Sequence, residues 1–173
     1  MANTAQMLIA LAFAVVAVLH QIDTDPAAWA ASEQGSIYAS REQLQRFITN
    51  PDSVEKWFNL VSLFKAADSR PLSVGKKYQA VYDLPLIGEY SVFLAVVEYK
   101  PNSLVVLEST SLLRPHFTIQ LEDNGPNTTR LTFSMQYRRS SALFQWTLGP
   151  VLRFLTSQQL QRSLFMIRMM FPF

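Results

Sequence analysis

From residue 75 to residue 137 the chain reads as one β-rich segment after another, and directly behind them comes a stretch suited to a long helix. Residues 75–83, 88–99, 103–110, 116–122 and 129–137 are rich in Val, Tyr, Phe, Thr and Leu. Turn chemistry separates them at Leu84-Pro85, Pro101-Asn102, Arg114-Pro115 and Asn124-Gly125-Pro126. Two segments alternate cleanly. Phe117, Ile119 and Leu121 oppose His116, Thr118, Gln120 and Glu122, while Leu131, Phe133, Met135 and Tyr137 oppose Arg130, Thr132, Ser134 and Gln136. Strands of that kind belong to an antiparallel sheet with one wet face. In residues 88–99 both faces are largely apolar, so the pattern leaves the inward register open. Residues 61–66 read as an earlier strand, and a short, poorly marked one is expected to end near Ile37-Tyr38. Between them, residues 41–49 suit a helix stopped at Asn50-Pro51. Pro51 then opens a second helix, with Asp52 in its first turn and Trp57 and Phe58 on its apolar side.

From Val151 to Met170 there is neither Gly nor Pro, and strong helix formers dominate. Gly149-Pro150 marks the start of that helix or a kink after residues 143–148. A curved sheet needs something to close its apolar concave face, and the last helix is the only element long enough. The expected architecture is α+β, a helix grip. A curved antiparallel sheet of about six to seven strands wraps on the C-terminal helix, with two short helices after the first strand.

Ahead of this body lies a leader without charge: no Lys, Arg, Asp or Glu occurs before Asp23. Met7 to Leu19 is unbroken apolar sequence, the length of a signal-peptide core and short of the roughly 20 residues a spanning helix needs. Ala28-Trp29-Ala30 offers small residues where a signal peptidase reads, with cleavage before Ala31. Against this, residues 1–6 supply no Lys or Arg. Residues 1–30 are therefore read as a signal peptide or an N-terminal anchor, and 31–173 as the domain. The expected location is the secretory lumen or outside the cell, with membrane anchoring by an uncleaved leader as the alternative. Asn127-Thr128-Thr129 is an N-glycosylation sequon in turn-rich sequence, which favours export.

Composition excludes much chemistry. With no cysteine there are no disulfides, zinc ribbons, iron–sulfur clusters or thiol nucleophiles. The histidines are His20, in the leader, and His116, which alternation places on the wet face; two cannot build a histidine-rich metal site, and none is expected. Glu89, Glu98 and Glu108 lack the spacing of a paired-carboxylate site. Five glycines leave no phosphate-cradling loop, and no cofactor is expected. Charge is lopsided: residues 124–173 hold six arginines and no acid. Without interleaved exposed aromatics this does not indicate nucleic acid, whereas Arg138-Arg139 and the helix arginines suit peripheral contact with an anionic membrane.

Several local sequences resemble the START-like superfamily of polyketide cyclase/dehydrase, lipid-transfer and coenzyme Q-binding proteins. They are residues 39–44 (ASREQL), 51–58 (PDSVEKWF), 72–76 (LSVGK), 98–102 (EYKPN) and 128–133 (TTRLTF). The resemblance covers roughly residues 35–170 and implies a cavity between helix and sheet that shelters a hydrophobic small molecule. The expected function is binding and carriage of a lipid, sterol, isoprenoid or pigment. The alternative is a cyclase/dehydrase-type enzyme acting on an apolar substrate in the same cavity. Strand positions Tyr78, Tyr82, Phe93, Phe117, Phe133, Met135 and Tyr137 are candidate lining residues. On a helical wheel Val151, Leu152, Leu155, Phe165, Met166, Met169 and Met170 share a broad arc with Gln158, Gln159 and Arg162, while Leu160, Leu164 and Ile167 form a second patch. Polar groups inside an apolar arc are costly to bury unpaired. One reading therefore has Arg162, helped by Gln158 or Gln159, hold a ligand's head while its tail lies on Leu155, Met166 and the strand face. In the other, Leu160, Leu164 and Ile167 face the sheet and Arg162 is in water.

Overall fold

A computed structural model describes residues 2–84, 88–111, 113–138 and 141–172. Pro85 of the expected turn at 84–85, and Arg139, lie outside the described residues. Helix α1 (Ala2–Gln21) leads through a 3-10 turn at Pro26–Trp29 into β1 (Ala31–Ile37). Two short helices follow, α2 (Arg41–Thr49) and α3 (Pro51–Trp57), and then six strands: β2 (Val61–Ala66), β3 (Lys77–Leu84), β4 (Gly88–Lys100), β5 (Leu104–Ser109), β6 (Pro115–Asp123) and β7 (Thr129–Tyr137). A short α4 (Ala142–Thr147) precedes the long α5 (Gly149–Met170). The seven strands form one antiparallel sheet in the order β1-β7-β6-β5-β4-β3-β2, so β1 closes the meander by pairing beside the last strand.

Local chemistry sets the helix boundaries. The Ser40 hydroxyl accepts from the Gln43 N–H at 3.2 Å, and the Asn50 side chain accepts from the Asp52 N–H at 3.2 Å, so each short helix starts on a capped turn with Pro51 at the first position of α3. Three contacts fasten α2 and the turn before it across the sheet end. Gln45 Oε1 accepts from the Asn102 N–H at 2.7 Å, Arg41 meets Asp123 at 2.9 Å, and Thr129 Oγ1 donates to the Ala39 carbonyl at 2.7 Å. A register shift between Val96 and Glu98 bends β4 against β5, as a bulge does.

The core lies on the concave face. Val92, Leu94 and Val96 point inward from β4, which resolves its two apolar faces and puts Phe93 outside, 54% exposed. Phe133, fully buried, stacks on Trp57 with centroids 5.3 Å apart and packs beside Phe117 at 5.4 Å, joining α3 to β6 and β7. Helix α5 packs on β1 and α3 through Leu160, Leu164 and Ile167. Burying side chains of that size contributes about 1.5–3 kcal/mol each. Thr156, Gln159 and Ser163 share this inner face, and Thr156 Oγ1 shares a 2.9 Å hydrogen bond with the Tyr137 hydroxyl. Gly35 of β1 lets the chain end close down: a Cβ there would sit 2.7 Å from Arg168 Nη2.

Helix α1 is longer than the apolar run within it. The apolar run alone is short of a span, but the helix takes in flanking polar residues, and Asn3–Gln21 is long and apolar enough to cross a membrane. Nothing in it is packed inside the protein.

Candidate functional site

A cavity of about 60 Å³ lies between the α2–α3 pair and the concave sheet. Ile48, Thr49, Val54, Trp57 and Phe58 roof it, Leu94, Val105, Leu107, Phe117 and Ile119 floor it, and Val61, Phe64, Leu72, Tyr78 and Tyr82 wall one side. Pro115 and Met135 complete the lining at the end of the sheet where β6 begins and β7 ends. No Asp, Glu, His, Lys or Arg lines it among the described residues. The Trp57 indole N–H is buried and has no protein partner. A polar hydrogen kept from water without an acceptor costs stability, so a buried donor at a cavity wall is an unused interaction.

The loop between β2 and β3 supplies Leu72 to this lining, and a buried lysine holds the loop in place. Lys76 Nζ donates to the Asp68 carbonyl at 2.7 Å and meets its carboxylate at 2.9 Å, while sitting 5.6 Å from the centre of the Tyr78 ring. The hydrogen bond from Lys76 holds the Asp68 carboxyl below its ordinary value. Tyr78 in turn stacks on Phe64 at 5.0 Å.

Of the candidate residues, Tyr78, Tyr82, Phe117 and Met135 line the cavity. Phe133 is consumed by packing against Trp57 and Phe117, and Tyr137 turns its hydroxyl to Thr156 of α5; neither lines the space. Phe93 is on the convex face. The α5 candidates lie away from this cavity. Leu155, Gln158 and Arg162 are exposed, because Leu160, Leu164 and Ile167 take the sheet-facing side, and their neighbours across the wheel must face water. Met166 is half-buried at the core's edge, and α5 contributes nothing to the cavity. The cavity is roofed by α2 and α3 instead of by the terminal helix. For Trp57 and Phe58, a position on the apolar side of the short helix after Pro51 signals burial, though not that they cover a space.

No protein-family model and no curated protein matches the sequence. Solved structures do. A START superfamily protein from Mycobacterium smegmatis superposes with a TM-score of 0.67 at 11% identity, covering 82% of this chain and 96% of that one. A Thermus thermophilus protein gives 0.65 at 12% identity over 81% and 94% of the two chains, and one from Nitrosomonas europaea gives 0.60 at 15% over 83% and 97%. The fold is a START-like helix grip. As in the expected helix grip, the sheet wraps on the C-terminal helix; in this chain the space lies beside that helix.

On the convex side of the helix grip, His116 sits across from Glu108 in the β5–β6 register, with Nδ1 3.9 Å from Glu108 Oε2. Arg138 meets the other Glu108 oxygen at 3.6 Å. The side assigned from alternation is the one observed, and the ring is half-buried there. Burial lowers the His116 pKa, Arg138 lowers it further, and Glu108 opposes both. Above the ordinary value of 6.5 the ring is neutral folded or unfolded, so its titration gives stability no pH dependence there. Below that value the unfolded chain takes up a proton that the folded chain resists. Stability then falls with pH until the lowered folded value is passed. We expect urea melts to show that decline as pH drops below about 6.5, and His116→Gln to flatten it.

Asn127 of the sequon is exposed in the turn between β6 and β7, at φ 53°.

Proposed function

We propose that this chain binds a hydrophobic small molecule in the cavity under α2 and α3, and does so at a membrane to which α1 anchors it. The observation that carries the reading is the lining, hydrocarbon and aromatic throughout except for two phenols, one threonine hydroxyl and one indole N–H. Pockets of this make-up take their affinity from apolar burial, at about 25 cal/mol per Å², and their orientation from few polar groups. The Trp57 N–H supports a ligand with one acceptor oxygen, such as an ester, a carbonyl or an ether, on a mainly hydrocarbon frame. A lipid, sterol, isoprenoid or pigment fits that description. The cavity is smaller than the ~300–1,000 Å³ of most ligand pockets. Uptake therefore requires the partly buried lining residues Leu72, Tyr82, Pro115 and Met135 to move outward.

Cyclase or dehydrase chemistry in the same space would need a proton acceptor. Burial pushes Tyr82 up to about 12, which keeps its phenol protonated and makes it a donor instead of a base. Carriage is thus better supported than catalysis.

For the anchor, support comes from the segment after α1, which is built into the body. The Ala142 N–H donates to the Ile22 carbonyl at 2.7 Å, Asp23 bridges to Ser141, and Trp29 packs on Gly149, where a Cβ would come within 2.6 Å of its ring. N-terminal sequencing of the mature protein should find residues before Ala31; a start at Ala31 would return the leader to the signal-peptide reading.

The ligand reading is tested by titrating the full chain with cis-parinaric acid, a fluorescent fatty acid. We expect saturable binding, unchanged in Arg162→Ala and weakened about fivefold in Trp57→Phe, the size of one neutral hydrogen bond. Weakening by Arg162→Ala with no change in Trp57→Phe would move the ligand to α5 and overturn the site.

A further inference from the structure

Helix α5 turns its broader apolar arc outward. At its start, and in α4 just before it, Trp146 is 73% exposed and Phe154 62%, with Leu148, Val151 and Leu155 each more than half exposed beside them. A cluster of five large apolar side chains facing solvent marks an interaction surface. Its surroundings decide the partner. The α1 helix leaves the body at this same place: the Ile22 carbonyl is hydrogen-bonded to the first residue of α4, Asp23 pairs with Ser141, and α1 lies against α4. Trp29, on the connecting turn, meets Trp146 edge to face with centroids 6.3 Å apart. A helix that crosses a bilayer and ends at Gln21 must deliver Ile22, and with it α4, to the headgroup level.

We infer that Trp146, Leu148, Val151, Phe154 and Leu155 form a second membrane contact, a shoulder that docks on the bilayer surface beside the anchor and fixes how the domain stands on it. Trp at such a level is favoured because its ring is apolar and its N–H reaches polar headgroups. Arg153 lies within the shoulder, while Asp23 and Asp25 lie on the segment that joins α1 to it, so the contact rests on the apolar side chains and on the anchor beside them and not on net charge. The docking rests on the anchor reading of α1 and is independent of what the cavity holds.

One consequence concerns the cavity. β1 begins, β7 ends and β6 begins at the shoulder end of the sheet, so Pro115 and Met135 of the lining are turned toward the lipid side. The β6–β7 turn with Asn127 is at the other end, the length of β7 away, ~30 Å at strand rise. Docking therefore brings the cavity's rim to the bilayer, from which an apolar ligand passes without crossing water.

With no native cysteine, single nitroxide labels report depth directly. Full-length Val15→Cys, Trp146→Cys, Phe154→Cys and Asn127→Cys variants are reconstituted in phosphatidylcholine vesicles containing phosphatidylglycerol. Collision with oxygen, which concentrates in lipid, is compared with collision with a water-soluble nickel chelate. Labels at 15, 146 and 154 should favour oxygen, and the label at 127 should favour the chelate. An oxygen-favouring label at 15 with chelate-favouring labels at 146 and 154 overturns the shoulder while leaving the anchor standing. A chelate-favouring label at 15 removes both, and spin–spin broadening at 146 and 154 with neither reagent reaching them makes a second copy of the chain the occupant and overturns the lipid contact. None of these outcomes touches the parinaric acid result, so the ligand reading stands or falls separately.

Discussion

Phe133→Ala should destabilise the domain by about 3–5 kcal/mol, the range for removing a fully buried aromatic ring. Phe133 has no exposed surface and sits in a stack of rings, with Trp57 at 5.3 Å on one side and Phe117 at 5.4 Å on the other. Trp57 belongs to α3, Phe117 to β6 and Phe133 to β7, so truncation opens space where the helical layer is fastened to the sheet. Collapse is opposed on both sides: the Trp57 ring is held edge to face by Phe58 at 5.7 Å, and β7 is paired on both edges. Urea unfolding should show a lower midpoint with an unchanged slope, because the surface exposed on unfolding is nearly the same. A midpoint within error of the parent would mean that the ring stack does not hold the layers together.

Val105→Phe should abolish binding of apolar probes, with a loss of at least about tenfold in affinity, equivalent to ~1.4 kcal/mol. Val105 is 1% exposed on β5 and floors the cavity. A phenyl ring in its place occupies much of a 60 Å³ space. The overpacking carries its own cost, typically about 1–3 kcal/mol, so thermal unfolding has to be read beside the titration. Lost binding together with a cooperative melt is the expected pair. A well-folded variant that still binds parinaric acid would place the ligand elsewhere.

Much of the fold was written in local chemistry. Alternation in residues 116–122 and 129–137, proline and asparagine at the turns, and Pro51 after Asn50 gave strands, reversals and the α2–α3 break without any knowledge of packing. β1 was harder to see: its sequence, ASEQGSI, has little β propensity, and it is held as an edge strand by the ladder to β7 and by three small or apolar residues, Ala31, Gly35 and Ile37, that turn inward. Residues 88–99 are apolar at both parities, so only the partner strands decide that Val92, Leu94 and Val96 face the core and Phe93 does not.

The α5 sequence left two registers open for a related reason, and the one with Leu160, Leu164 and Ile167 on the sheet is the one observed. Hydrophobic area predicts which face is buried only when water is the alternative, and the broader arc of this helix, with Val151, Phe154 and Leu155, faces outward just after α4, against which the apolar α1 lies. The narrower patch of Leu160, Leu164 and Ile167 then takes the sheet, eased by the small Ser163 between them. Arg162 went with the outer face, which leaves Thr49, Trp57, Tyr78 and Tyr82 as the polar side chains of the cavity lining. Cavity lining is equally hard to read from a chain, since Phe117 and Phe133 occupy equivalent alternating positions and only one of them meets empty space.

The central claim is that the space under α2 and α3 holds an apolar molecule, and native mass spectrometry of the full chain released gently from membranes tests it most directly. We expect a population heavier than the polypeptide by one small molecule, recovered intact by organic extraction and missing from Val105→Phe prepared in the same way. Bare polypeptide mass in both preparations, with no uptake of added lipid, would contradict it.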